Sequence, residues 1–158
     1  MMPFKKILVP TDLSECSLGA IQAARQLAVD SAAEIIVLHV VEKLPVSPRN
    51  STELSSPAEE ARTGMIAFNV NKRLEELMKQ AEETMEERVG EWVPREEKVQ
   101  LEVREGYAPV EIVQGAAEIG VDLIVMAARG GGESDRREAG SVTQQVVRVA
   151  STWVLTVR

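Results

Sequence analysis

Two short segments carry residue types from which an anion site can be built. One runs Ala127-Ala128-Arg129-Gly130 and resumes at Gly140-Ser141-Val142-Thr143; the other is Pro10-Thr11-Asp12. Glycines let a backbone approach phosphate oxygens closely. Successive N–H groups in such a loop can form a nest, and a following helix start adds unpaired donors and a favourable dipole. Ser141 and Thr143 bring hydroxyls, and Arg129, Arg136 and Arg137 bring positive charge. The segment is not a Walker loop, because no Gly-Lys-Ser/Thr is present. Nor is it a dinucleotide fingerprint, because Pro-Thr-Asp stands where GxGxxG would follow the first strand. Ser141-x-x-Gln144 also reads as a capping box, which would explain Ser141 without a ligand. Asp12, with Ser14 and Ser17 near, can accept from a ribose hydroxyl or an adenine amine, help hold a metal, or cap a helix.

The remaining chemistry is sparse. The chain of 158 residues has one His, one Cys and five aromatics. His39 lies in an apolar run and reads as a hydrogen-bonded core residue. Cys16 has no redox partner in sequence and reads as structural. A Cys/His zinc site of three or four ligands cannot be built within one chain. No intrachain disulfide is possible, which fits a reducing cytoplasm. The net charge of −7 argues against a nucleic-acid face, which must displace counterions from phosphates. No targeting segment and no apolar stretch of membrane-spanning length is visible. We therefore expect no catalytic residues, no protein metal ligands, no nucleic-acid partner and no membrane partner.

The elements that must position these residues alternate. Lys6-Ile7-Leu8-Val9 is a strand stopped by Pro10, followed by a helical period from Ser17 to about Val29. The run 34–41 is apolar enough for a strand covered on both faces. Residues 42–64 hold Pro45, Pro48, Pro57 and several Ser, and read as a long flexible connection. The helical period returns from Met65 to Val89, through Ile66, Val70, Leu74, Leu77, Ala81 and Met85. Val99, Leu101 and Val103 alternate as in an edge strand. Pro109 opens the next helix and Gly120 closes it. A strand at 122–127, a helix from Ser141 to about Val149 and a strand at 153–157 complete the chain. Residues 1–158 thus form one α/β domain, a parallel sheet with helices on both faces. In such a sheet, ligands bind beyond the carboxyl ends of the strands where strand order reverses.

These motifs together resemble the universal stress protein (UspA-type) family over nearly the whole chain. Lys6 to Glu15 is similar to that family's opening strand and turn. Leu38-His39-Val40-Val41 is similar to its second strand. Val103-Arg104-Glu105-Gly106-x-x-Pro109 resembles its third strand and helix start, and Asp122 to Met126 its fourth strand. ATP-binding members carry G-x-x-G, nine residues, then G-S/T. Here Gly130, Gly140 and Ser141 match, Ala127 replaces the first glycine, and charged residues 135–138 precede the second.

The resemblance implies an open five-stranded parallel sheet of order 3-2-1-4-5, of the adenine nucleotide alpha hydrolase-like type. It implies a nucleotide (ATP)-binding regulatory or stress-response protein, cytoplasmic and homodimeric through the C-terminal strand 153–157. Thr11, Asp12 and Val40 would hold adenine and ribose, Met126 would sit at the nucleoside wall, and Gly130, Gly140, Ser141, Val142 and Thr143 would hold ribose and phosphates. Pro10, Ala127 and Arg129 belong to the same expected cofactor site. Mg2+ or Mn2+ would bridge the phosphates. Two alternatives stand beside this: a nucleotide-free dimer acting through protein contacts, and a slow ATP-hydrolysing enzyme using Thr11 and Asp12.

Overall fold

The computed structural model describes residues 4–43, 56–95, 97–129 and 140–158. The elements are β1 (Lys6–Pro10), α1 (Leu18–Ser31), β2 (Glu34–Glu42), α2 (Pro57–Trp92), β3 (Val99–Gly106), α3 (Ala108–Ile119), β4 (Leu123–Ala127), α4 (Ser141–Val149) and β5 (Trp153–Val157). The five strands form one sheet of order β3-β2-β1-β4-β5, with every pairing parallel. The expected fold class and strand order are those observed.

The sheet is apolar on both sides because helices cover both sides. Ile7, Val9, Ile35, Val37 and Val125 pack with Ile21 and Ala24 of α1 and Met85 and Val89 of α2. Leu8, Ile36, Leu38, Ile124 and Met126 pack with Ile112 and Ala116 of α3 and Val146 of α4. In β1, Ile7, Leu8 and Val9 are wholly buried. Burial of a side chain of this size contributes about 1.5–3 kcal/mol. That arrangement explains the unbroken apolar run of a central strand and the alternation of the β3 edge.

Helix ends follow local chemistry. Tyr107 is the N-cap of α3, Pro109 sits in its first turn, and Gly120 closes it in the left-handed region at φ 72°. α1 runs two residues past Val29 and ends at Ala32, which takes φ 54°. Gly106 sits at φ 146°, and a Cβ there would lie 2.6 Å from the Glu111 carboxylate. No other residue type fits that turn into α3.

One expectation needs correction. Residues 42–64 were expected as a connection, yet β2 includes Glu42 and α2 begins at Pro57. Ser56 accepts from the Glu59 N–H while the Glu59 carboxylate accepts from the Ser56 N–H, a capping box with Pro57 at the first helical position. Pro57 marks a helix start here, because the first helical N–H needs no partner. Residues 44–55, on which the rest of that expectation falls, lie outside the described residues. No helix among the described residues is long and apolar enough to cross a membrane.

Candidate nucleotide-type cleft

β1 is the central strand; β2 lies on one side of it and β4 on the other. Chain connections leave in opposite directions there, so a crevice opens beyond the carboxyl ends of these strands. A cleft of about 390 Å³ occupies that place. This falls in the range of small-molecule sites. Pro10, Thr11, Asp12, Val40, Met126, Ala127, Arg129, Gly140, Ser141, Val142 and Thr143 all line it. Gly130, Arg136 and Arg137 lie outside the described residues. Residues as far apart in sequence as Pro10 and Arg129 thus meet at one crevice.

The floor is the turn after β1. The Thr11 N–H continues the ladder to the Leu38 carbonyl at 2.8 Å. The Ser17 hydroxyl donates to the Ser14 carbonyl at 2.6 Å, so the Thr11 hydroxyl donates to the Ser17 oxygen, also at 2.6 Å. The Thr11 oxygen then accepts from the Leu13 N–H at 3.0 Å. Leu13 takes φ 64°, which closes the turn tightly. The buried Thr11 hydroxyl is therefore engaged in building the floor. Asp12 is exposed, and its Oδ1 accepts from the Ser14 N–H at 3.0 Å and from the Ser14 hydroxyl. It makes an Asx-type turn two residues on, rather than the helix cap considered for it.

The opposite wall is the start of α4. Its N-cap is Gly140, which has no side chain to cap it. Ser141 is the first helical residue, so Ser141 is not the N-cap of the capping box considered for it and Gln144. In a helix, the first N–H groups have no intrahelical partner. Those of Ser141, Val142 and Thr143 stand at the cleft, which these residues line. The helix start is held in place by the Gly140 N–H on the Ala128 carbonyl at 2.7 Å and by the Thr143 hydroxyl on the Ala127 carbonyl at 2.9 Å. The Tyr107 hydroxyl donates to Gln145 at 2.8 Å, tying the start of α3 to α4.

Several lining residues were not anticipated: Ser17, Leu38, His39, Glu42, Ala108 and Ile112. His39 was expected in the core; it is half-buried and lines the cleft. Its Nδ1 lies 2.9 Å from the Thr11 carbonyl. A carbonyl only accepts, so Nδ1 is the donor. The available signal was position: His39 and Glu42 stand at the carboxyl end of a strand flanking the switch point. Cys16 is exposed rather than structural.

The parts fit an adenine nucleotide. Val40, Met126 and Ile112 give apolar walls for a base, and the α4 start suits phosphate. Among the described residues, no group of three or more His, Cys, Asp or Glu is placed to hold a metal ion. The fold and cleft define an open α/β domain with a crevice of small-molecule size at its switch point.

The comparisons narrow this class. Residues 3–158 match the family described as "Universal stress protein family". The chain belongs to the universal stress protein family. It is 30% identical over 155 residues to Universal stress protein MJ0577 of Methanocaldococcus jannaschii, covering 98% of this chain and 95% of that one. A solved structure of protein MJ0577 superposes with a TM-score of 0.77 at 28% identity, covering 99% and 96% of the two chains. A universal stress protein solved in complex with cAMP shares the fold, with a TM-score of 0.58 at 22% identity and 99% and 98% coverage.

Proposed function

We propose that this protein is a nucleotide-responsive regulatory protein that binds ATP in the switch-point cleft and acts as a homodimer. The observation that carries the reading is the start of α4 at the glycine cap Gly140, whose first residues line a cleft with apolar walls. Val40 and Met126 would flank the base, Asp12 would meet the ribose, and Ser141 to Thr143 would meet the phosphates. Mg2+ or Mn2+ would ride on the phosphates. The cAMP-bound relative supports an adenine ligand for this fold. β5 is an edge strand with Trp153 and Leu155 exposed. A bare apolar edge invites pairing, and a second β5 run antiparallel would cover it.

The test is to denature the purified protein, look for adenine nucleotide in the supernatant, and titrate Mg-ATP calorimetrically. Released nucleotide or saturable heat is expected. Neither, at millimolar ATP, removes the reading.

One observation favours a nucleotide-free member instead. Ala127 stands where ATP-binding members have glycine, and its carbonyl holds the Thr143 hydroxyl. On that reading Ala127→Gly leaves ATP binding absent; on ours it strengthens it. A slow ATPase ranks last. It would show as hydrolysis lost in Asp12→Ala with binding intact.

A further inference from the structure

The 36 residues of α2 make a rod of about 54 Å. Only its second half packs on the sheet, where Ala81, Met85 and Val89 are buried. Residues 57–73 are exposed throughout. Yet this projecting arm carries Met65, Ile66, Phe68 and Val70, with Ile66 60% and Phe68 67% exposed. Ile66 and Val70 lie on one face of the arm, and a helix solvated all round has no reason to carry them there; Met65 and Phe68 lie on its other sides.

The polar residues around them are arranged symmetrically about Ile66. At about 100° per residue, Glu59, Thr63, Ile66, Asn69, Val70 and Arg73 share one face. Glu59 and Arg73 lie seven positions before and after Ile66, and Thr63 and Asn69 lie three before and after. A two-fold contact requires residue i to meet j while j meets i. An antiparallel pair of arms crossing at Ile66 satisfies this with opposite charges and with hydrogen-bonding partners. A slip of three residues toward the body would set Arg62 against Arg73 and Glu59 against Glu76, so the charges oppose that register. The length fits too. The exposed stretch 57–73 is centred one residue from Ile66, and Ala58 would reach the partner's Leu74, the half-buried residue at which the body begins.

We propose that the α2 arm is a docking surface for the same arm of a second copy, antiparallel and with the two-fold axis at Ile66. Neither Glu59 nor Arg73 is prevented from pairing. Glu59 uses Oε2 in its capping box, and Arg73 holds only an exposed contact to Glu76 at 3.3 Å. The arm leaves from the β2–β3 side of the sheet, whereas β5 is the opposite edge. The two surfaces are therefore separate, and together they would build assemblies larger than a dimer.

The test uses the full chain with Cys16→Ser, so that each added thiol is the only one. With a short bismaleimide, Ile66→Cys should cross-link to itself about tenfold faster than Gly64→Cys on the far side of the helix, as expected of an effective-concentration gain. Glu59→Cys should cross-link to Arg73→Cys faster than to itself. Arg73→Glu should weaken self-association about threefold or more, within the range of exposed ion pairs. Adding Glu59→Gln, which keeps the capping box, should return part of that loss. Circular dichroism confirms that each variant keeps the helix. Equal rates at positions 66 and 64 overturn the proposal. Faster same-site linking at position 59, which means a parallel pair, also overturns it, as does no recovery on adding Glu59→Gln.

Discussion

Thr11 shows why a residue at a ligand site need not touch the ligand with its side chain. Its hydroxyl donates to Ser17 and accepts from the Leu13 N–H inside the turn. Thr11→Val keeps the shape and leaves those partners unsatisfied. It should lower stability by about 1–3 kcal/mol, read as a shift in the urea midpoint with unchanged m-value. Asp122 acts at the other end of the sheet. Its Oδ2 accepts from the Lys5 N–H at 2.7 Å and the Lys6 N–H at 3.0 Å, and these backbone bonds, Lys5 first, hold its pKa below the usual carboxylate value. A depressed pKa means stability that is present above the unfolded carboxylate range and lost as pH falls through the folded value. Asp122→Asn should therefore be less stable at neutral pH and show a shallower acid loss in denaturation curves taken at several pH values. Sequence reasoning located Asp12 and Ser141 but assigned both possible caps wrongly. The Asp12 turn and the Gly140 cap depend on backbone angles that residue types alone do not specify.

Among the elements, α2 is the instructive case. Its packed half was visible in the period of Ala81, Met85 and Val89, because burial on one face imposes that spacing. Its start was missed, because Pro57 and Ser56 look the same in a loop and in a helix cap. Ser56→Ala should remove the capping box at a cost of about 1 kcal/mol. The first turns of α2 pack on nothing described, so the loss should appear as reduced helicity by circular dichroism, with little change in the global denaturation midpoint. β3 and β5 contrast with the central strands in the same way. An edge strand has one neighbour, so its apolar residues alternate or thin out.

For the whole molecule, the two proposed surfaces and the cleft are separable. Leu155→Asp in β5 should reduce the assembly, measured by light scattering, while Mg-ATP heat remains. ATP at a hundredfold excess over its Kd should stabilise the fold by about 2.7 kcal/mol, read as a higher Tm, if it binds only the folded state. Loss of ATP heat in Leu155→Asp would show that the cleft and the edge are coupled.

The alternation of apolar runs and helical periods was sufficient to define a parallel α/β sheet, because strands covered on both faces and helices covered on one leave different traces in a linear pattern. The segments at 10–12 and 127–143 followed as carboxyl ends of strands, whereas the strand order that makes them a switch point came only with the family resemblance. What the sequence could not express was the third dimension of the site. The approach of His39 to the Thr11 carbonyl is a contact across strands, and the engagement of the Thr11 hydroxyl and the Gly140 cap of α4 rest on backbone turns. The exposure of the α2 arm was equally out of reach. A helical period continues unchanged past the end of the sheet, and only the tertiary structure shows where the sheet stops covering it.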